Sequence, residues 1–174
     1  MNDLILLSMM LPGPKHGYQL KHEAGMIFGQ QVMHNNLVYP LLRRFLNDGW
    51  VTRKEVPGER GQTRQQYSLT AQGRRVLLER LSHFTEADAA SDEEFRSRVG
   101  LFELLQPEVR ENILTRREDY LQGLDQHLAL LETNMKVGKY GAEVIGQMRN
   151  QIALETKWIQ HLRRILKSDK RRSS

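Results

Sequence analysis

The chain has 174 residues, 39% hydrophobic and 27% charged, with no cysteine, which suits one ordinary soluble domain or two small ones. The missing thiols exclude disulfides, cysteine-ligated zinc, iron–sulfur sites and cysteine nucleophiles. The net charge of +5 sits in the first half, where residues 1–84 carry eleven Lys and Arg against six Asp and Glu, while the remainder carries fifteen of each.

A basic half beside a neutral one has the electrostatic outline of a nucleic-acid reader joined to a region with another task. No run of eighteen apolar residues occurs, and the stretch Leu4 to Leu11 follows Asp3 without a basic start or a small-residue cleavage site. A cytoplasmic protein is expected.

In chain order, Leu4, Ile5, Leu7 and Leu11 give a short apolar helix closed by Pro12-Gly13-Pro14. A second helix is predicted from about His16, with Tyr18, Leu20, Ala24 and Ile27 on a loose stripe. Asn35 and Asn36 offer caps for a third, with Pro40 placed in about its first turn and Leu37, Leu41, Leu42, Phe45 and Leu46 as its buried face. Gly49 stands where a left-handed residue ends a helix. The period then changes to alternation, with Trp50, Thr52 and Lys54 facing one way and Val51, Arg53 and Glu55 the other. Pro57-Gly58 and Gly61 mark a turn, Gln65 to Leu69 supply the return strand, and Thr70 caps a fourth helix carrying Val76, Leu77, Leu78 and Leu81.

Beyond this module the acidic, small-residue stretch Glu86 to Glu94 reads as a linker into a helix over Phe95 to Leu105, broken at Gln106-Pro107. A further helix has Val109, Ile113, Tyr120, Leu121, Leu124, Leu128 and Leu131 on one side, and a second break is predicted at Gly138 to Gly141. The last helix places Ile145, Met148, Ile152, Glu155, Ile159, Leu162 and Leu166 on a seam stepping alternately by three and four. That seam either completes an intramolecular core or buries against a second chain, and Glu155 is its one polar member. Continuous from Ala142 to Leu166, this helix would run roughly 37 Å. The expected fold is mainly α with a small β-hairpin: a winged helix-turn-helix over residues 1–86 and an α-helical, coiled-coil-like region over residues 87–174.

In such a fold the third helix enters the major groove with its N-terminal residues at the base edges, here His34, Asn35 and Asn36, and asparagine matches adenine N6 and N7. Tyr39 and Arg43, further along, suit phosphates. Arg60, Gln62 and Arg64 at the hairpin tip suit phosphates or a narrow minor groove, and His16, Tyr18 and Lys21 on the second helix are candidate backbone contacts. Capping alone would also explain the asparagines, and solubility the charged tip.

The motifs themselves are more specific. The apolar first helix, Gly13-Pro14, His16-Gly17-Tyr18-Gln19-Leu20, the run from Val38 to Arg44, Asp48-Gly49-Trp50-Val51 and Tyr67-Ser68-Leu69-Thr70, followed by Gly73, resemble in order and spacing the DNA-binding domain of the PadR family of transcriptional regulators. Phe95-Arg96, Leu101-Phe102 and the segment Trp158 to Ile165 resemble the helical C-terminal domain of its longer members, which include phenolic-acid-responsive repressors. The resemblance implies a homodimer on double-stranded DNA with a pseudo-palindromic operator, more often repressing than activating. Dimerisation would fall on the Ile145-to-Leu166 seam. It also implies a small aromatic acid as effector, for which Tyr18, Lys21, Asn35, Phe95, Arg98, Phe102, Trp158 and His161 supply rings and polar groups. His34-Asn35-Asn36 departs from the small residues with glycine common before the Tyr-Pro motif, so an operator sequence does not carry over.

No Gly-rich phosphate loop, nucleophile elbow or HExxH is present, and the glycines at 58 and 61 lie between strands. No catalytic residue, metal ligand set, cofactor or membrane partner is expected. The alternative to a DNA reader is a winged-helix protein-interaction scaffold, since fold does not fix function.

Overall fold

The computed structural model describes residues 2–28, 35–57, 62–134 and 136–172. The chain divides into two units, residues 1–83 and 84–174.

The first unit opens with α1 (Asn2–Ser8), followed by β1 (Lys15–His16), α2 (Gly17–Phe28), α3 (Asn35–Asn47), β2 (Val51–Pro57), β3 (Thr63–Leu69) and α4 (Ala71–Ser82). Leu4, Ile5, Leu6 and Leu7 are all buried, so α1 is enclosed on every side rather than on the single predicted face. They share the core with Leu20, Val38, Leu42, Phe45, Leu77 and Leu81. In α3 the buried positions are thus Val38, Leu42 and Phe45, while Leu37, Leu41 and Leu46 are half-buried. The stripe is phased on Val38. Pro40 is the sixth residue of α3, not part of its first turn, because the helix already begins at Asn35.

Gly49 ends α3 with φ of 71°. Its N–H donates to the Leu46 carbonyl at 3.2 Å and that of Trp50 to Phe45 at 2.8 Å, the paired bonds of a Schellman cap. The Phe45 and Trp50 rings, 5.6 Å apart, supply its apolar contact. Antiparallel β2 and β3 pair from Val51 with Leu69 to Pro57 with Thr63, and β1 joins the other side of β3, with Lys15 opposite Tyr67. β1 is a two-residue strand just before α2, too short to leave an alternating signal. Neither predicted face of β2 is covered: Val51 is buried, Val56 half-buried and residues 52–55 are exposed. The hairpin projects beyond the core, so its alternation orders side chains without burying them.

The base of this wing is tightly closed. The Thr70 N–H donates to the Trp50 carbonyl at 2.9 Å, and its hydroxyl donates to the Gly49 carbonyl at 2.8 Å and accepts from the Gly73 N–H at 2.9 Å. A Cβ on Gly73 would stand 2.1 Å from the Trp50 carbonyl oxygen. Asp3 ties three helices by accepting from Arg44 of α3 and Arg80 of α4, and Arg80 lies 4.6 Å over the Trp50 ring. Partial burial pushes the Asp3 carboxyl up. The chain's amino terminus, a backbone hydrogen bond, Arg80 and Arg44 outweigh it and hold the pKa below the ordinary value.

The second unit contains α5 (Glu86–Ala89), α6 (Asp92–Val99), a 3-10 turn at Phe102–Leu104, α7 (Pro107–Asn134) and α8 (Lys139–Arg172). The acidic stretch read as a linker is thus two short helices. Thr85 and Asp88 form a capping box on α5, and Ser91 caps α6; acids and hydroxyls that look like linker composition are also what helix N-termini require. The expected helix to Leu105 ends at Val99, and the chain turns in 3-10 form before Pro107 opens α7.

α7 and α8 pack as an antiparallel hairpin. Leu114, Leu121 and Leu128 are buried on α7, and Ile145, Ile152, Ile159 and Leu166 on α8, at steps of seven. Beside this row, Arg149 binds Asp125 and Glu132, and Arg163 binds Glu111 and Glu118. Between them lies Arg117, 1% exposed. Its Nε and Nη2 donate to both oxygens of Glu155 at 2.8 and 3.0 Å, its Nη1 donates to the Ala89 carbonyl at 2.6 Å, and Nη2 also binds Asp92. Phe95 and Tyr120 lie about its guanidinium at 5.4 and 5.5 Å. Glu155, the polar member of the seam, thus neutralises a buried arginine of its own chain.

Candidate nucleic-acid interface

The Schellman turn at Gly49 and the Thr70 joint connect α3 directly to the wing, so the described candidate residues of both stand on one bonded frame. Tyr39 and Arg43, one turn apart on α3, are both exposed. Arg44, the next residue, is exposed as well but is turned to Asp3.

Gly17, Tyr39 and Tyr67 meet. A Cβ on Gly17 would lie 3.1 Å from Cε1 of Tyr39 and 3.5 Å from Cε2 of Tyr67. Three separate sequence motifs, around His16, Val38 and Tyr67, thereby make one contact, in which the absent side chain seats the ring of a half-exposed tyrosine. Gly17 acts structurally, whereas its neighbour Tyr18 is 69% exposed and stacks on His22 at 6.2 Å.

His16 is half-buried and held by its Nδ1, 3.2 Å from the Gln65 carbonyl of β3, while its N–H donates to the Gln19 side chain at 2.9 Å. His16 thus stands on β1 and not on the second helix: its ring faces β3, and its backbone N–H reaches the first turn of α2. Lys21 is half-buried, and Gln62 and Arg64 are exposed. Asn35 and Asn36 form the first turn of α3, but their side chains, like His34 and Arg60 altogether, lie outside the described residues. Arg53 and Lys54 on β2, and Arg74 and Arg75 on α4, are exposed cations that sequence reasoning did not select. Arg53 and Lys54 stand in adjacent positions of a strand with no covered face, and that doubled exposure shows only once the wing is seen to project.

Of the seven seam residues on α8, Ile145, Ile152, Ile159 and Leu166 are buried in the chain's own hairpin, Glu155 pairs with Arg117, Leu162 is half-buried and Met148 is exposed. A different face of α8 carries exposed Tyr140, Val144, Leu154 and Ile165. Among the effector candidates, Tyr18 and Asn35 belong to the first unit and the rest to the second, apart from Lys21, again in the first. Phe95 and Trp158 meet edge to face at 5.6 Å. Buried Arg98 binds Glu94 and Asp88 and lies over Phe84. Phe102 is buried and His161 exposed. Among the described residues no cluster of His, Asp and Glu could hold a metal ion, and no helix is long and apolar enough to cross a membrane.

Residues 6–79 match the transcriptional regulator PadR-like family. Among solved structures, a transcriptional regulator from Thermoplasma acidophilum is 27% identical over 44% of this chain and 73% of its own, with a TM-score of 0.42. Bacillus subtilis PadR in complex with operator DNA is 15% identical over 95% of this chain and 98% of its own, with a TM-score of 0.47. The same protein in complex with p-coumaric acid covers the same shares at a TM-score of 0.43. No curated protein matches the sequence.

Proposed function

From the PadR-like transcriptional-regulator domain that residues 6–79 form, we propose that this chain represses transcription by binding a pseudo-palindromic operator as a homodimer. Residues 1–86 read the DNA and residues 87–174 pair the readers. The observation that carries the proposal is the bonded connection of α3, with Tyr39 and Arg43 exposed, to a wing whose Arg53, Lys54 and Arg64 are exposed. α3 occupies the major groove, its entry at His34, Asn35 and Asn36 meets base edges, and Arg60, Gln62 and Arg64 meet the backbone beside it.

Gel-shift with the DNA upstream of the chain's own gene tests this over a salt series. Arg60→Ala with Arg64→Ala should weaken binding to all sequences and flatten the salt slope by about one unit per lost phosphate contact. Asn36→Ala should mainly relax base preference. Failure of the verified dimer to bind any DNA at low salt would leave the interaction-scaffold reading in its place.

Two readers on a two-fold axis need half-sites about 34 Å apart. The exposed apolar face of α8, with Tyr140 83% and Leu154 71% exposed, supports dimerisation there, because Ile145, Ile152, Ile159 and Leu166 are already buried within the chain. Val144→Glu with Leu154→Glu should give a monomer in sedimentation. The effector is a small aromatic acid, a class supported by the Phe95–Trp158 ring pair; Arg98 is already neutralised by Glu94 and Asp88. Calorimetry with p-coumarate should give heat that Trp158→Ala abolishes, and absence of heat removes this layer.

A further inference from the structure

The α7–α8 hairpin repeats itself every seven residues in three independent ways. Its apolar row is Leu114, Leu121 and Leu128 against Ile145, Ile152, Ile159 and Leu166. Its acidic row on α7 is Glu111, Glu118, Asp125 and Glu132, and each of Arg149 and Arg163 grips two consecutive members. The aromatic contact of Phe95 falls on Trp158, and Ile165, seven residues on, is another large apolar residue, exposed.

A pattern of period seven does not by itself choose between registers one heptad apart. The ion pairs set the present one, with Arg117 level with Glu155, Asp125 with Arg149 and Glu111 with Arg163. By the same offset Leu114, Leu121 and Leu128 lie level with Ile159, Ile152 and Ile145. Sliding α8 by seven residues, about 10.5 Å, brings Leu114, Leu121 and Leu128 level with Leu166, Ile159 and Ile152. Arg163 then meets Glu118 and Asp125, Arg149 keeps Glu132, and Ile165 takes the place of Trp158 against Phe95. The connection moves to the segment Gly138–Gly141, whose second glycine now lies in the first turn of α8 and suits a turn better.

One pair breaks the degeneracy. After the slide Arg117 would be level with Leu162, and Glu155 with Leu124. Each would leave a charge facing an aliphatic side chain, and Arg117 is 1% exposed, so the loss is severe.

We propose that the second unit is a two-register hairpin, and that Arg117 and Glu155 are the lock that selects the observed register. Their part is specificity of pairing, as a lone polar residue specifies register in a coiled coil. The slide is a discrete step of the kind by which packed helices switch. Because the pair is buried, removing both charges together should leave the hairpin folded while releasing its register.

The absence of native cysteine allows two spin labels to be placed without background. Labels at Gln126→Cys and Gln160→Cys, in full-length chain diluted with unlabelled chain, are offset along the hairpin by about 20 Å in the observed register and by about 9 Å in the slid one. The wild-type pair should give the longer distance alone, and Arg117→Leu with Glu155→Leu should add a shorter population. A relocated lock is the stricter variant: Glu155→Leu with Leu162→Glu returns a carboxylate to Arg117 only after the slide and should make the shorter distance dominant. Helicity and thermal midpoint confirm that each variant is folded. Retention of the single longer distance in the relocated-lock variant, or both distances in the wild type, overturns the proposal.

Discussion

The two units use polar groups in opposite ways. In the first, winged unit the interior is apolar and non-repeating, from Leu4 to Leu7 of α1 to Phe45, Leu77 and Leu81, and its polar bonds serve at ends and joints: Thr70 at the wing base and Asp3 between helices. In the hairpin unit the apolar residues repeat, and an arginine is placed in the interior itself. An irregular core has one good fit and needs no further instruction. A repeating core has several, so the choice among them passes to charge. The difference teaches that burial of a charged residue can be read as information about pairing even where it adds little to stability.

The contrast is broken most severely through Arg117. Arg117→Ala leaves Glu155 without its bidentate partner at the hairpin interior and should cost about 3–5 kcal/mol, seen as a loss of helicity in urea at lower denaturant. The first unit should keep its own transition. Conversely, Gly73→Ala forces a methyl against the Trp50 carbonyl and should cost the winged unit about 1–3 kcal/mol, with the helical unit unchanged; an unaltered midpoint would mean that α4 and the wing base can separate freely. The smallest effect is electrostatic. Asp3 has a folded pKa below its ordinary value, so its contribution is present above the unfolded carboxylate pKa of about 3.9 and is lost as pH falls through the lower folded value. Asp3→Asn should therefore flatten the acid limb of the winged unit's stability curve and leave that of the hairpin as it was.

Most of the winged unit was legible because its signals are local. Gly49 closes α3 and Thr70 opens α4 as their residue types demand, and the glycines of the motifs reflect backbone needs within a few residues. Legibility failed where the deciding partner is remote. Arg117 reads as one more charge on a surface helix, since Ala89, Asp92 and Glu155 lie 28, 25 and 38 residues away. Glu86 to Glu94 failed for another reason: caps and linkers draw on the same residues, and only bonds such as that between Thr85 and Asp88 distinguish them. In the candidate interface, the motif positions Tyr39 and Arg43 were visible in the sequence, whereas Arg53 and Lys54 emerged only when β2 proved uncovered on both sides.

The joint at Trp50, Thr70 and Gly73 makes the wing portable. At this joint it is held by main-chain atoms and one hydroxyl, so the fastening there does not depend on which side chains occupy residues 52–64. A designer could exchange that interval as a cassette and keep the socket. The same separation offers evolution a cheap way to diversify the wing without rebuilding what holds it.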